Sequence, residues 1–325
     1  MPKKGDRKHR EPLGNPHDPH GWHQVTEQFF EWMAVTNYSP ATIESRRTYL
    51  GFFIKWSLER GLNQPCEITK AILERYQRYL FHYRKQNGEA LSIRGQHTRI
   101  TPLRAFFKWT TRNNYTLYNP ASELDLPRME TRLPKHVLSL AEVEKVMGMP
   151  DLNDPLGIRD RAMLETLYST GMRRMEIINL KLHDIDDDRG TAMIRQGKGK
   201  KDRMLAIGER ALKWIDKYVE GVRPELVREP DDGTLFLTNL FGAFEASRLT
   251  QMVRDYIKAA DINKTGSCHL LRHTCATLML ENGADIRFIQ HQLGHAVIST
   301  TQIYTQVSIR KLKEIHTATH PAKLR

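Results

Sequence analysis

Apolar side chains recur at spacings of three and four residues along much of the chain, a period typical of amphipathic helices. The first such stretch covers residues 23–36 and places Phe29, Trp32 and Met33 on one side. Three further stretches follow before the chain reaches residue 118. We therefore predict a bundle of four helices over residues 23–118.

Each of the later three helices has a Ser or Thr directly before it, where a side-chain oxygen accepts a hydrogen bond from the first helical turn. Pro40 follows the first of these caps and favours a helix start. Pro102 lies inside the last helix and is expected to bend it. From cap to final residue, the predicted helices cover residues 39–61, 69–88 and 92–112.

The second half of the chain alternates helical stretches with short β-like runs. Residues 119–136 contain three prolines and no hydrophobic period, so we predict a linker there. A helix capped by Ser139, with Glu142 completing a capping box, follows the linker. Residues 155–180 indicate two helices that are broken at residues 169–171. The other predicted helices cover residues 208–222, 247–260, 269–281, 286–293 and 300–307, and the β segments cover 183–185, 191–194, 203–206 and 234–238. The sequence thus predicts a mainly α domain with one small β-sheet.

Charge gives the first indication of a partner. The 325 residues carry 50 Lys and Arg against 38 Asp and Glu, which gives a net charge of +12 and a pI near 9.6. Basic residues placed on phosphates release condensed counterions, so this excess favours a nucleic acid as partner. A basic protein without a specific ligand is the alternative. Residues 1–22 are rich in Pro, Gly, His and basic residues without a hydrophobic period, which predicts a flexible basic arm.

The predicted fourth helix has the most one-sided charge pattern. No Asp or Glu occurs between Ala90 and Ser122. Arg104, Lys108 and Arg112 follow one another at intervals of four residues and therefore share a helix face. A basic face is often only solvated, but the missing acids favour a surface that binds DNA phosphates. The predicted DNA-binding residues are Arg94, Arg99, Arg104, Lys108 and Arg112.

Cysteine usage and hydropathy indicate a cellular location. Three cysteines without a C-x-x-C pair argue against a disulfide framework and fit a reducing cytosol. Cys268 and Cys275 are expected to be small buried side chains rather than nucleophiles. No apolar run approaches the roughly 18 residues needed to cross a bilayer. We therefore predict a cytoplasmic, nucleoid-associated protein with no membrane partner.

Signals for metals and cofactors are weak. The H-x-x-x-H pairs His269/His273 and His291/His295 could bind zinc, but each lacks a nearby third ligand. The acidic run at residues 184–188 lies at a predicted hairpin and is typical of a solvated turn. No Walker loop or GxGxxG motif occurs. We predict no metal and no other cofactor.

The motifs that carry chemistry are concentrated between residues 268 and 305. A phosphodiester repels nucleophiles, so a protein without a metal must surround it with cations and hydrogen-bond donors, and the planar fork of arginine suits this task. Taken singly, each candidate residue is ordinary. In combination, five segments resemble the tyrosine recombinases, the lambda-integrase-like and Xer-type family. These segments are YSTGMRRMEIINL, GKGKKDR, HLLRHTCAT, LGH and TTQIYT. The similarity extends from about residue 24 to the end of the chain.

The resemblance implies a fold and a set of roles. The helical bundle would be a SAM-like core DNA-binding domain, and residues 137–325 would form the catalytic domain of the DNA breaking-rejoining fold. Arg173 and Arg272 would clamp the scissile phosphate, and His295 would donate a hydrogen bond to it. The nucleophile would be Tyr304, which would form a 3′-phosphotyrosine. A histidine at the start of the same motif, His269, would help to move the tyrosine proton.

Further positions follow from the same resemblance. Lys198 in the Gly/Lys turn would be the general acid that protonates the leaving 5′ oxygen. The same flexible turn could instead present Lys200 or Lys201, so these alternatives stay open. Glu176 matches an often acidic position and is expected to be structural. Arg174 stands where the family usually has no arginine, and we do not include it in the site.

The implied function is site-specific cutting and rejoining of double-stranded DNA, in integration, excision or resolution, without metal or ATP. Recombining two duplexes would need a tetramer, made of this chain or shared with a paralogous recombinase. The basic tail, residues 308–325, would dock on a neighbouring protomer or contact DNA. A simple two-domain enzyme of a mobile element or plasmid is the favoured interpretation. The alternatives are a type IB topoisomerase-like DNA-relaxing enzyme, against which the lack of larger flanking domains argues, and a catalytically silent DNA-binding protein.

Overall fold

Two compact units follow one another along the chain, residues 1–131 and residues 132–325. The structure is a computed structural model that describes residues 12–129, 136–195, 197, 202–295, 301–302, 304 and 316–317. The division between the units falls inside the predicted linker, residues 119–136.

The described part of the first unit contains the predicted four helices: α1 Trp22–Val35, α2 Pro40–Leu58, α3 Lys70–His82 and α4 Ile93–Arg112. The side chains of Ser39, Thr69 and Ser92 each accept a hydrogen bond from the backbone N–H three residues later. These caps are local in sequence, which explains why the predicted helix starts are confirmed. Pro102 is buried inside α4 and does not end it.

The end of α3 differs from the prediction, which carried this helix to Gly88. Beyond His82 the backbone turns back on itself, and Lys85 N–H donates to the carbonyl of Glu89 at 2.9 Å. Gly88 takes a φ of +78°, a left-handed value that helices do not use. The turn therefore competes with the last helical turn and replaces it.

Aromatic rings fill the core of this bundle. Trp22, Phe29, Phe53 and Phe106 are each fully buried. The ring of Trp22 lies 5.8 Å from that of Phe53, and the ring of Phe29 lies 5.4 Å from that of Phe106, both in edge-to-face geometry. Dense packing of large rings from α1, α2 and α4 makes the bundle a rigid support for its surface charges.

The stretch before α1 corrects the expectation of a flexible arm over residues 1–22. Leu13 packs against the bundle core, and Gln64 Nε2 donates to the Asp18 carboxylate at 2.8 Å. Gln24 Nε2 donates to the carbonyl of Pro16 at 2.7 Å. Residues 12–21 are thus held on the bundle by side-chain contacts that lie far apart in sequence, while residues 1–11 lie outside the described residues.

The second unit is mainly helical around one small sheet, as predicted. Its helices are α5 Leu140–Met147, α6 Pro155–Thr170, α7 Arg174–Ile178, α8 Glu209–Gly221, α9 Arg223–Leu226, α10 Ala246–Ala259, α11 Cys268–Glu281 and α12 Ile286–Leu293. The strands β1 Ile185–Asp186, β2 Thr191–Ile194 and β3 Arg203–Ala206 form an antiparallel sheet in the order β1-β2-β3. Thr191 pairs with Ala206, and Ile194 pairs with Arg203.

The prediction of a β-strand over residues 234–238 is wrong, because no strand in the described part of the chain includes this segment. It makes only isolated bridges, from Thr234 to Lys181 and from Leu237 to Ala243. The backbone N–H of Leu237 donates instead to the hydroxyl of Tyr218 at 3.0 Å. The apolar run is explained by burial, because Leu235 and Phe236 are almost fully enclosed without a neighbouring strand.

A glycine turn between α6 and α7 prepares the functional site. Gly171 ends α6 with a φ of +59°, and a Cβ at this position would lie 2.9 Å from a methyl carbon of Leu293. Only glycine allows α12 to come this close to the turn. The two site-flanking cysteines, Cys268 and Cys275, are buried as expected, and burial raises the pKa of their thiols to about 11 and about 12. No helix in the described ranges is long and apolar enough to span a membrane.

Candidate active site

Three parts of the second unit bring the predicted arginines and one predicted histidine together. Arg173 stands at the start of α7, Arg272 lies on α11, and His295 follows Gly294 at the end of α12. Arg272 Nη2 lies 3.0 Å from His295 Nε2, and Arg173 Nη2 donates to the carbonyl of Gly294 at 2.8 Å. Residues more than 100 positions apart in sequence therefore converge on one small region.

Arg272 is the fixed centre of this region and is 4% exposed. Its Nη1 donates to the carbonyl of Gly171 at 2.6 Å, and its Nη2 donates to the carbonyl of Leu293 at 2.7 Å. Burial and the nearby charge of Arg173 lower the pKa of Arg272 to about 10, so the guanidinium stays charged at neutral pH. The hydrogen bonds hold a positive charge in one orientation between α6, α11 and α12.

Arg173 is oriented by Glu176, one turn along α7. Its Nη1 donates to Oε1 of Glu176 at 2.9 Å, and its backbone N–H donates to Oε2 at 2.7 Å. The side chain of Arg173 keeps 22% of its surface exposed, in contrast to that of Arg272. Arg173 is therefore the more accessible arginine of the pair.

Glu176 also binds a third arginine, which the sequence did not single out. Arg203 on β3 donates to both carboxylate oxygens, from Nη1 at 2.9 Å and from Nη2 at 2.7 Å. Burial alone would raise the pKa of Glu176, but the hydrogen bonds and charges of Arg203 and Arg173 outweigh it and lower the pKa to about 2. The expectation that Glu176 is structural fits this geometry, because its carboxylate joins two arginines.

Gly294 is required where Arg203 passes the end of α12. Gly294 has a φ of +62°, and a Cβ there would lie 2.5 Å from Arg203 Nε. Three guanidinium groups and one carboxylate meet in this part of the site, which leaves two positive charges among these four residues. Such a surplus at fixed donors is the electrostatic requirement for binding a phosphate anion.

Tyr304 is 1% exposed and lies in a small apolar cluster. The cluster is formed by α11 and α12, through Ala276, Leu280, Ile289 and Leu293. Burial raises the pKa of the Tyr304 hydroxyl, although the positive charge of Arg272 acts in the opposite direction. The phenol is thus protonated at neutral pH in this position, and its proton must be transferred when the oxygen attacks.

The hydroxyl of Tyr304 forms a hydrogen bond with a histidine that was not assigned to the site. His273 Nδ1 lies 3.0 Å from the tyrosine oxygen. His269, which the resemblance expects to help move the tyrosine proton, lies one turn earlier on α11 and keeps part of its surface exposed. Partial burial and the charges of Arg272, Arg174 and Arg173 lower the pKa of His269. The role of His269 stays a prediction, and His273 is the residue in contact with the hydroxyl.

The ring of Tyr304 also lies near the ring of His295. The two rings are nearly parallel, at 7°, with centroids 6.4 Å apart. His295 Nδ1 lies 2.9 Å from the hydroxyl of Thr301, and the carbonyl of Thr301 accepts a hydrogen bond from the backbone N–H of Tyr304 at 3.0 Å. The predicted phosphate ligand and the predicted nucleophile are therefore connected through Thr301.

The lysines proposed as general acid, Lys198, Lys200 and Lys201, lie outside the described residues. In sequence they lie between Ile194 and Arg203, and Arg203 belongs to the arginine cluster formed by Arg173, Arg203 and Arg272. The assignment of Lys198 stays a prediction.

The predicted DNA-binding residues of α4 belong to the first unit. Arg94, Arg104, Lys108 and Arg112 are exposed, and none forms an ion pair with a described residue. Arg99 differs, because its guanidinium lies 4.7 Å from the ring centre of Phe52 and 4.8 Å from that of Tyr83. The α4 face therefore contains four accessible cations and one that is held between aromatic rings.

No group of three or more His, Cys, Asp and Glu that could hold a metal ion occurs among the described residues.

Comparisons with known proteins agree with the predicted family and fold. The model of the phage integrase family matches residues 136–310. Tyrosine recombinase XerC 2 of Ralstonia nicotianae is 50% identical over 298 residues, which cover 92% of this chain and 86% of that protein. Tyrosine recombinase XerD of Pseudomonas putida is 33% identical over 301 residues, which cover 92% of this chain and 98% of that protein.

Solved structures show the same fold. The crystal structure of XerA recombinase is 32% identical, with a TM-score of 0.51 over 92% of this chain and 98% of that one. XerH recombinase bound to its palindromic difH substrate is 20% identical, with a TM-score of 0.72 over 95% of this chain and 99% of that one. A mainly helical fold with an arginine cluster close to a buried tyrosine fits an enzyme that transfers DNA strands. The chain belongs to the phage integrase family and is a tyrosine recombinase.

Proposed function

We propose that this protein cuts and rejoins double-stranded DNA at a specific site through Tyr304. The phenolic oxygen forms a bond to phosphorus while the bond from phosphorus to the 5′ oxygen breaks. The products are a 3′-phosphotyrosine and a free 5′ hydroxyl. A 5′ hydroxyl of another strand then reverses the step and joins the new pair. The covalent link conserves the energy of the phosphodiester, so the cycle needs no ATP.

The observation that carries this proposal is the surplus of positive charge at fixed donors beside the tyrosine. Arg173 and Arg272 are oriented by the protein before any phosphate arrives. Donors that need no rearrangement stabilise the charge that develops on non-bridging oxygens as the pentavalent transition state forms. His295, hydrogen-bonded to Arg272, adds a third group that can donate to the same phosphate.

The remaining steps are proton transfers. The hydroxyl of Tyr304 must lose its proton. His273 forms a hydrogen bond with it, and His269 lies one turn earlier on the same helix, α11. The leaving 5′ oxygen must gain a proton, and Lys198 is the proposed donor. In sequence, Lys198 lies between Ile194 and Arg203, which pair on the sheet, and the place of Arg203 in the arginine cluster supports this assignment.

We further propose that residues 23–118 form the DNA-binding bundle and that residues 137–325 form the catalytic domain. The accessible cations on α4 support the first assignment, and the arginine cluster supports the second. One site cuts one strand, so we propose a tetramer on two DNA duplexes within the nucleoid, with either identical protomers or a paralogous partner. Integration, excision and dimer resolution use the same chemistry.

A nicked duplex tests this function. The sequence is the one that the wild-type protein selects from a randomised library, and the nick lets the cleaved fragment dissociate and traps the covalent adduct. Wild type should form the adduct, and Tyr304→Phe should bind the duplex without forming it. An adduct that persists in Tyr304→Phe contradicts the assignment. Relaxation of plasmids of any sequence by monomers, without recombinant products, would instead favour a topoisomerase-like enzyme.

A further inference from the structure

His295 is engaged on both sides of its ring. Nε2 lies 3.0 Å from Arg272 Nη2, and Nδ1 lies 2.9 Å from the hydroxyl oxygen of Thr301. Thr301 is fully buried, and its carbonyl accepts the backbone N–H of Tyr304 at 3.0 Å. Thr301 therefore connects His295 to the nucleophile through a single turn of chain.

These partners fix the tautomer of His295. An arginine guanidinium carries only N–H donors and no acceptor, so Nε2 must accept the hydrogen bond from Arg272. A neutral imidazole carries one proton, which must then be on Nδ1 and donate to Thr301. A ring protonated on both nitrogens would direct an N–H group against the N–H group of Arg272.

A bound phosphate requires the opposite arrangement. Under the proposed function, on which this inference rests, His295 donates from Nε2 to a non-bridging oxygen. That oxygen can only accept a hydrogen bond, so Nε2 must carry a proton. If the ring stays neutral, Nδ1 must become an acceptor. A carbonyl or carboxylate in the place of the Thr301 side chain could not donate a hydrogen bond to the unprotonated Nδ1. A hydroxyl can donate to Nδ1 in this state and accept from Nδ1–H in the other.

We propose that Thr301 is a positioning residue that lets His295 change tautomer while it stays attached to the turn that carries Tyr304. Before the phosphate is engaged, Nδ1–H donates to the Thr301 oxygen. When the phosphate accepts the N–H groups of Arg272, Nε2 takes a proton from water and Nδ1 releases one to water. The Thr301 hydroxyl then rotates and donates to Nδ1. The charge of the ring does not change.

Nitrogen-15 NMR of histidine-labelled protein observes the tautomer directly. Tyr304→Phe prevents cleavage, and loss of one signal set in His295→Gln identifies the ring. The protein alone should show a protonated Nδ1 and an unprotonated Nε2. Addition of the selected duplex should reverse the two. An unchanged tautomer, or two protonated nitrogens in the complex, would overturn the proposal.

Substitution of Thr301 tests the consequence for the reaction. Thr301→Val removes the hydroxyl at nearly constant size, and we expect covalent adduct formation to slow by about tenfold with an unchanged Kd for DNA. Thr301→Ser keeps the hydroxyl and should restore the rate. Thr277→Val is the matched control, because the buried Thr277 hydroxyl on the same domain has no hydrogen-bond partner among the described residues.

The outcomes separate this inference from the proposed function. If wild type forms no adduct with the selected duplex, the proposed function fails. If wild type forms the adduct and Thr301→Val matches its rate, the role of Thr301 is contradicted. Equal slowing in Thr301→Ser and Thr301→Val also contradicts it, because the hydroxyl would then not be the active feature. Should Thr301→Val not fold, the NMR measurement and Thr301→Ser still decide.

Discussion

Arginines in the two units are held in different ways. In the second unit, Arg272 is 4% exposed and donates to carbonyls on two sides, while Arg173 and Arg203 share the carboxylate of Glu176. In the first unit, Arg104 on α4 is exposed and forms no ion pair with a described residue. The same side chain is fixed by bonds in one place and is free to follow a partner in the other.

This difference separates catalysis from affinity. A fixed guanidinium meets one phosphate in one geometry, so its loss should affect the transition state more than binding. An exposed cation attracts DNA over a distance and in many orientations, so its loss should affect binding and its salt dependence. Variants in the two units should therefore fail in different assays.

The largest effect is expected for Arg272→Ala. The variant removes a charge and leaves the carbonyls of Gly171 and Leu293 without their donor. We expect the rate of covalent adduct formation to fall by about 10³-fold or more, while the Kd for DNA changes by less than about tenfold. Arg272→Lys keeps the charge without the fork and should recover little of the rate. Equal losses of cleavage and binding would remove the distinction between the two groups of arginines.

A smaller loss is expected for Glu176→Gln, which keeps the size of the side chain and removes its charge. Arg173 and Arg203 would lose the carboxylate that aligns them, so we expect adduct formation to slow by about tenfold to a hundredfold. Glu144→Gln is the control, because Glu144 pairs with Arg210 at the surface, where both side chains are 46% exposed. Similar rates for Glu176→Gln and Glu144→Gln would show that the alignment of Arg173 does not depend on Glu176.

Substitutions on the basic face of α4 should weaken DNA binding without changing the rate of cleavage. We expect the double variant Arg104→Ala, Lys108→Ala to reduce the slope of log K against log salt by about two, with adduct formation unchanged at saturating DNA. Lys145→Ala, which removes an exposed cation from α5, should leave the slope as in wild type. An unchanged slope in the double variant would mean that this face meets only solvent.

The smallest effect concerns the protonation of His273. Burial, together with the charges of His269 and Arg272, lowers the pKa of His273 from 6.5 to about 4. As the pH falls, His273 takes up a proton in the unfolded chain before it does so in the folded protein. Its contribution to the free energy of unfolding is therefore fully present above pH 6.5 and is lost as the pH falls toward 4. Between pH 7 and pH 5, wild type should lose on the order of 1 kcal/mol more of its unfolding free energy than His273→Asn.

Urea unfolding at several pH values measures this difference. NMR should also show that the His273 ring does not titrate between about pH 5 and pH 8. Titration near the ordinary histidine value would mean that His273 is hydrated and does not hold Tyr304 in a buried site.

Features that depend on neighbouring residues were predictable from the sequence. Ser39 and Ser92 cap their helices through bonds to N–H groups three residues away, and both helix starts follow from that. Features that depend on distant partners were not. The bond from Arg203 to Glu176 spans 27 positions, and no local pattern marks either residue as the partner of the other. The segment at residues 234–238 has strand-like composition, but a strand also needs a neighbour.

The candidate site shows the same limit. Motif order placed Arg173, Arg272, His295 and Tyr304 in one site, and the structure brings the first three into a single hydrogen-bonded group. The histidine that contacts the tyrosine hydroxyl is His273, four residues after the one that the resemblance favoured. Both histidines share a face of α11, so spacing alone could have raised His273 as a candidate but could not have ranked the two.

Above all, we propose that Tyr304 attacks a DNA phosphate that is bound at the neighbouring arginine cluster. The most direct measurement traps wild-type adduct on the nicked duplex, digests the protein and the DNA, and locates the remaining nucleotide by mass spectrometry. We expect a nucleotide joined through a 3′ phosphate to Tyr304, with none detected when Arg272 is replaced by Ala. A nucleotide attached to any other residue would contradict it.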